Sequence, residues 1–143
     1  MNLQERLAAI PYLPSHQISV EETDGIVVAR MMFRREITNY VGTVHAGALF
    51  TLAETAAGVA ATAIIPNDRA FVLLRGATFT YTRRAESDLV AKASVSADDA
   101  AKARADFDRE SRADSFVLVT IADAEGASVF EGRFDYALRQ VKK

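Results

Sequence analysis

Apolar residues recur along the chain in two rhythms, and each change of rhythm marks the border of an element. Leu3, Leu7 and Ile10 fall at helical spacing, and Pro11 and Pro14 end that short helix. Ile18 to Val20 and Ile26 to Phe33 read as strands joined by the turn Thr23-Asp24-Gly25. A long helix follows, about Val44 to Ile65, closed by Pro66-Asn67-Asp68. Ala70 to Arg84 is rich in β-branched and aromatic residues, with Phe79 and Tyr81 on one face and Thr78, Thr80 and Thr82 on the other. Asp88 to Ser96 sets Leu89, Ala91, Ala93 and Val95 against Val90, Lys92 and Ser94. Ser115 to Ala122 and Ala127 to Leu138 form a last pair across Glu125-Gly126. This order predicts an α+β domain with an antiparallel sheet. The long small-residue helix is the one element apolar enough to cover it.

Ser96 to Arg112 breaks the strand pattern. Ser96, with Asp99 three residues on, suits a helix cap. Asp98–Lys102 and Asp108–Arg112 have the i,i+4 spacing that supports an exposed helix. The segment reads as a solvated helix or a mobile excursion rather than a binding element.

Composition narrows the classes of function. The 143 residues suit a single domain, spanning 1–143, in which half the residues are apolar and a quarter charged. A net charge of −2 offers no basic excess to draw nucleic acid or an anionic membrane. Cysteine is absent, which removes disulfides, thiolate metal sites and a thiol nucleophile. Only His16 and His45 could supply imidazole, so no metal site is expected within one chain. The N-terminus lacks the basic-then-apolar pattern of a secretory signal, and the cytoplasm is the expected location. The weakly polar run from Val41 to Pro66 contains His45 and Glu54 and reads as a core helix, not a membrane span.

Glu54 is the conspicuous residue of that run. Gly47, Phe50, Thr51, Glu54 and Gly58 share one side of the helix, and Leu49, Leu52, Ala53, Ala56 and Val59 lie broadly opposite. A carboxylate so placed needs a partner, because taking its charge out of water is costly. A structural role would pair it with an arginine such as Arg75. The helix entrance suggests chemistry instead. In "GTVHAG" small residues open a helix whose first amides have no intrahelical acceptor, and those donors suit a carbonyl oxygen acquiring negative charge. Ala46 or Gly47 would supply the amide, and Asn39 could add a side-chain donor. His45 reads as a cap-region side chain that bonds to backbone and holds the turn. No serine or cysteine nucleophile sits in an elbow motif.

These residues resemble the signature of hotdog-fold acyl-CoA thioesterases of the phenylacetate-pathway and human thioesterase-superfamily type. That motif has an asparagine, His-Gly-Gly six residues on, and an acid nine after the histidine. Here Asn39, His45-Ala46-Gly47 and Glu54 match. The chain departs at Ala46, which replaces the first glycine, and in carrying glutamate as the acid. The serine or threonine that relatives place on the next strand has no clear match in Leu74 to Thr78, where Thr78 is the candidate. The excursion from Ser96 to Arg112 is also longer than the usual strand connection.

The resemblance implies a hotdog fold, an antiparallel sheet wrapped around one long central helix. It also implies hydrolysis of an acyl-CoA thioester without a cofactor. Asn39 and the Ala46 or Gly47 amide would polarise the carbonyl. Glu54 would activate water as a base or attack directly through an anhydride. Arg83 and Arg84 could meet coenzyme A phosphates. Gly47 and Glu54 stand seven residues apart, about 10 Å along the axis, too far to share one thioester carbon. A two-fold homodimer with interfacial sites answers that distance, and the resemblance implies a homodimer or a dimer of dimers with such sites. The alternative is an acyl-CoA-binding module without turnover, serving as a ligand sensor or assembly subunit.

Overall fold

The computed structural model of the chain describes residues 1–142. In order it contains α1 (Leu3–Ala8), β1 (Ser19–Thr23), β2 (Ile26–Met31), α2 (Ala46–Thr62) and β3 (Ala70–Tyr81). Then come β4 (Leu89–Ser94), α3 (Ala97–Glu110), β5 (Arg112–Ala122) and β6 (Ser128–Gln140). Local chemistry sets the ends of several elements. The Asn2 side chain accepts the Glu5 amide while the Glu5 carboxylate accepts the Asn2 amide, a reciprocal cap for α1. Asp24 and Gly25 both have positive φ in the tight turn from β1 to β2.

The strands form one antiparallel sheet of six, in the order β1-β2-β4-β5-β6-β3. The sheet wraps α2, which packs against every strand from β2 to β6. Leu52, Ala53, Ala56, Ala57 and Ala61 are fully buried in that wrap. Their small side chains let the strands approach the helix backbone at interior packing density. No helix among the described residues is long and apolar enough to cross a membrane.

Most expected elements appear within a few residues of their predicted ends, but β3 contains a feature the alternation did not expose. Val72 and Leu74 face the core, and so do Ala77 and Phe79, an odd step that a regular strand cannot make. A bulge at Arg75 supplies the extra residue, seen as a register shift against β6 between Leu74 and Gly76. Phe79 lies opposite Gly132 in register, where a Cβ would come within 2.7 Å of the Phe79 Cβ. The missing side chain lets Phe79 stack on Phe130, with ring centroids 5.2 Å apart. β3 is also an edge strand, 12 residues long and paired only to β6.

The segment between β4 and β5 is a docked helix. Ser96 caps it by accepting the Asp99 amide, as its spacing predicts. Ala103 and Phe107 are buried where α3 lies against β5, and the Arg69 guanidinium sits 5.5 Å from the Phe107 ring centroid. The two expected ion pairs are replaced by others. Lys102 bonds Asp106 rather than Asp98, and Asp108 bonds Arg69 rather than Arg112. The second exchange has a backbone cause: Ser111 leaves the helix at φ +59, and Arg112 already belongs to β5.

Candidate active site

The chain enters α2 through a loop built on Asn39. Its Oδ1 accepts the amides of Val41 and Thr43, both at 3.1 Å, and its Nδ2 donates to Thr43 Oγ1 at 2.8 Å. Gly42, at φ +84, completes the turn. The Val44 amide then bonds the Ala85 carbonyl, and the His45 amide bonds the Ile37 carbonyl. The helix entrance is thus clamped from both sides.

His45 is the N-cap. Its Nδ1 accepts the Gly47 amide at 2.8 Å, which requires a neutral ring protonated on Nε2. The Ala48 and Leu49 amides both bond the His45 carbonyl. The sequence leaves Ala46 and Gly47 as equal candidate donors, and the geometry separates them. Gly47 has its acceptor in the imidazole, whereas the Ala46 amide has no partner among the described residues. Tyr81 donates to the Ala46 carbonyl at 3.1 Å, and burial pushes its phenol pKa up.

Glu54 lies two turns further along, on the stripe of α2 that the sheet leaves partly open. It lines an apolar groove of about 840 Å³ bounded by α1, the second half of α2 and the first half of β3. The expected pairing with Arg75 does not occur. Arg75 sits at the bulge of β3 and bonds Asp114 at 2.8 Å. The partner of Glu54 is Tyr136 of β6, whose hydroxyl donates to Oε2 at 2.6 Å. Burial raises the Glu54 pKa above the usual carboxylate range, and the tyrosine bond draws it partly back. Burial, and then the neighbouring carboxylate, push the Tyr136 phenol far up, so it remains a donor.

Sequence reasoning missed Tyr136. Its signal was a hydroxyl within the buried alternation Phe134, Tyr136, Leu138 on the last strand. Thr78 is exposed between the inward-facing Ala77 and Phe79, so it points away from α2 and lies outside the groove. Arg83 and Arg84 are exposed just before Ala85, beside the segment that leads into α2. Neither makes an ion pair among the described residues. Ala46 and Glu54 are eight residues apart on one helix, about 12 Å along its axis.

One protein family, described as "Domain of unknown function (DUF4442)", matches residues 3–138. No curated protein sequence matches the chain. Among solved structures, PA5026 of Pseudomonas aeruginosa, described as a probable thioesterase, aligns with a TM-score of 0.80 at 25% identity, covering 96% of this chain and 91% of that one. The thioesterase HI1161 of Haemophilus influenzae aligns with a TM-score of 0.78 at 15% identity, covering 100% of this chain and 94% of its own. The E. coli PaaI protein, from the phenylacetic acid degradation operon, aligns with a TM-score of 0.67 at 17% identity, covering 90% and 82%. The fold is the hotdog fold that the sequence resemblance implies, and distant structural relatives are thioesterases.

Proposed function

The chain belongs to the family described as domain of unknown function DUF4442, and from that premise we propose that it hydrolyses acyl-CoA thioesters. The observation that carries this reading is Glu54, a carboxylate in an apolar groove that is held by a neutral hydroxyl and no cation. Such a group keeps basicity that an ion pair would remove.

In this reading the Ala46 amide, at the positive end of α2, donates to the thioester carbonyl oxygen as it becomes an oxyanion. Asn39 spends one N–H on Thr43, and the second N–H of the same amide group adds a donor. Glu54 takes a proton from water, the resulting hydroxide attacks the carbonyl carbon, and the C–S bond breaks. Coenzyme A leaves as a thiolate and recovers the proton. Alternatively Glu54 attacks the carbonyl carbon directly and expels the thiolate to form an anhydride, which water then hydrolyses to the same products. Arg83 and Arg84 meet the coenzyme A phosphates.

In this reading Ala46 and Glu54, held apart along α2, serve different active sites of a two-fold dimer. Two features support that assembly. β3 presents an open strand edge, a ready template for pairing. The stripe of α2 carrying Gly47, Phe50, Glu54 and Gly58 is not fully covered by its own sheet.

A panel of acyl-CoA esters, with thiol release as the readout, tests the reaction. Turnover by the native chain and its loss in Glu54→Gln are expected. Binding of the same esters without turnover would instead identify an acyl-CoA-binding module. For the shared site, Ala46→Pro and Glu54→Gln chains are unfolded and refolded together. Mixed dimers should form about half the population with one intact site each, returning roughly a quarter of native activity. Confirmed subunit exchange without recovery would place each site within one chain.

A further inference from the structure

The contact between Glu54 and Tyr136 is more elaborate than packing requires. The Tyr136 ring is buried on β6, and its hydroxyl reaches both Glu54 Oε2 at 2.6 Å and the Glu54 carbonyl at 3.4 Å. One turn along α2, Gly58 leaves the space this pair occupies. A Cβ there would stand 3.2 Å from Oε2 and 3.7 Å from the hydroxyl. Glycine inside a helix costs about 1 kcal/mol relative to alanine, so the room is made at the expense of stability. The second carboxylate oxygen, Oε1, has no partner among the described residues.

We infer that Tyr136 is a positioning residue for thioester hydrolysis, fixing Oε2 of Glu54 so that Oε1 faces the reacting water and setting the pH at which Glu54 becomes a base. This rests on the hydrolase reading above. It also answers a departure noted in the sequence: no serine or threonine of β3 meets the acid, and a hydroxyl arrives from β6 instead. A neutral donor suits the task better than a guanidinium, because it orients the carboxylate without cancelling its charge. The other charged or titratable groups of the groove are Arg6 on α1, Tyr12 after it, Glu22 on β1 and Asp68 before β3. None of them bonds Glu54, which leaves Tyr136 as its one direct partner among the described residues.

The test is Tyr136→Phe, which keeps the ring and removes the hydroxyl. Burial then acts on Glu54 unopposed. The acid limb of the kcat/KM profile should move to higher pH by about one unit, the order expected for losing a hydrogen bond to a charged group. A packing role would lower stability or raise KM and leave the limb in place. Gly58→Ala, which crowds Oε2 from the helix and retains the hydroxyl, should move the limb in the same direction. It serves also if Tyr136→Phe fails to fold. A limb unmoved in the folded variants overturns the proposal. A second readout does not depend on turnover: titration of the Glu54 carboxyl by ¹³C NMR, with the signal identified by its loss in Glu54→Gln. If no thioester is hydrolysed by the native chain, the hydrolase reading falls, and Tyr136 with it as a positioning residue for that reaction. The carboxyl titration still reports whether the pair is coupled. If turnover occurs and neither limb nor titration moves, only the role of Tyr136 falls.

Discussion

Glu54 on α2 and Asp106 on α3 are both helical carboxylates, and their surroundings drive them in opposite directions. Asp106, half-buried on α3 beside the exposed Lys102 and Arg109, bonds them at 2.7 Å and 2.9 Å. Those bonds hold its pKa below the usual carboxylate range. Glu54 faces an apolar groove with one phenol as its partner, and burial takes its pKa above that range. The contrast separates a charge that supports its own helix from one whose helix tolerates it. Surface pairs such as those of Asp106 contribute little individually. A carboxylate half-buried in an apolar groove with no cation beside it is a cost that folding alone would not select.

The largest effect expected within this comparison comes from the entrance of α2. Ala46→Pro removes one amide hydrogen and little else. Proline is well accepted at the first helical position, and His45 before it already has the extended ψ of 138° that a following proline demands. Turnover should fall by roughly 10²- to 10³-fold, the range found on deleting an oxyanion donor. Ala46→Gly should stay near native in the same assay. Equal effects of the two changes would show that this amide is not a donor.

Glu54→Gln comes next, with kcat lowered about 10²-fold or more. Its effect on stability sharpens the comparison because the sign is unusual. A carboxyl whose pKa is raised by folding binds its proton more tightly in the native state. Its contribution to stability is therefore lost as pH rises from the ordinary carboxylate range through the raised value. Glu54→Gln should flatten that fall and leave the chain at least as stable as native at neutral pH, as thermal melts at several pH values would reveal. A marked loss of stability in the variant would make Glu54 structural.

On α3 the expectations reverse. Phe107→Ala empties a buried position and should cost about 3 kcal/mol of stability, read from denaturant unfolding. Turnover per folded molecule should stay within about twofold of native, as for a change outside the reacting groups. Asp106→Asn should do least. Its lowered pKa gives stability that is present above the ordinary carboxylate range and lost as pH falls through the depressed value. The variant should therefore show only a small, salt-screened loss near neutrality, with activity unchanged. A kinetic defect from either substitution would tie α3 to the active site.

Much of this molecule is written in local chemistry. The switch from helical to alternating rhythm, the prolines after α1, the turn at Asp24-Gly25 and the Ser96 cap each act within a few residues. Their consequences follow without knowledge of the fold. The apolar length of α2 and the strands on either side of it were enough to predict a sheet wrapped around a helix. Within the site, the carboxylate, the helix entrance and the capping role of His45 were legible for the same reason. What lay beyond reach depended on distant segments meeting. Glu54 and Tyr136 are 82 residues apart in sequence, and no spacing rule connects them. The bulge at Arg75 exists in the register between β3 and β6, and it decides that Arg75 meets Asp114 rather than Glu54. Asp108 prefers Arg69 to Arg112 because the chain has already turned into β5. Even the choice of Ala46 over Gly47 needed the angle of one imidazole ring. Hydrogen-bond partners are settled by differences of an ångström, and a chain holds its groups to that tolerance only when its core has packed.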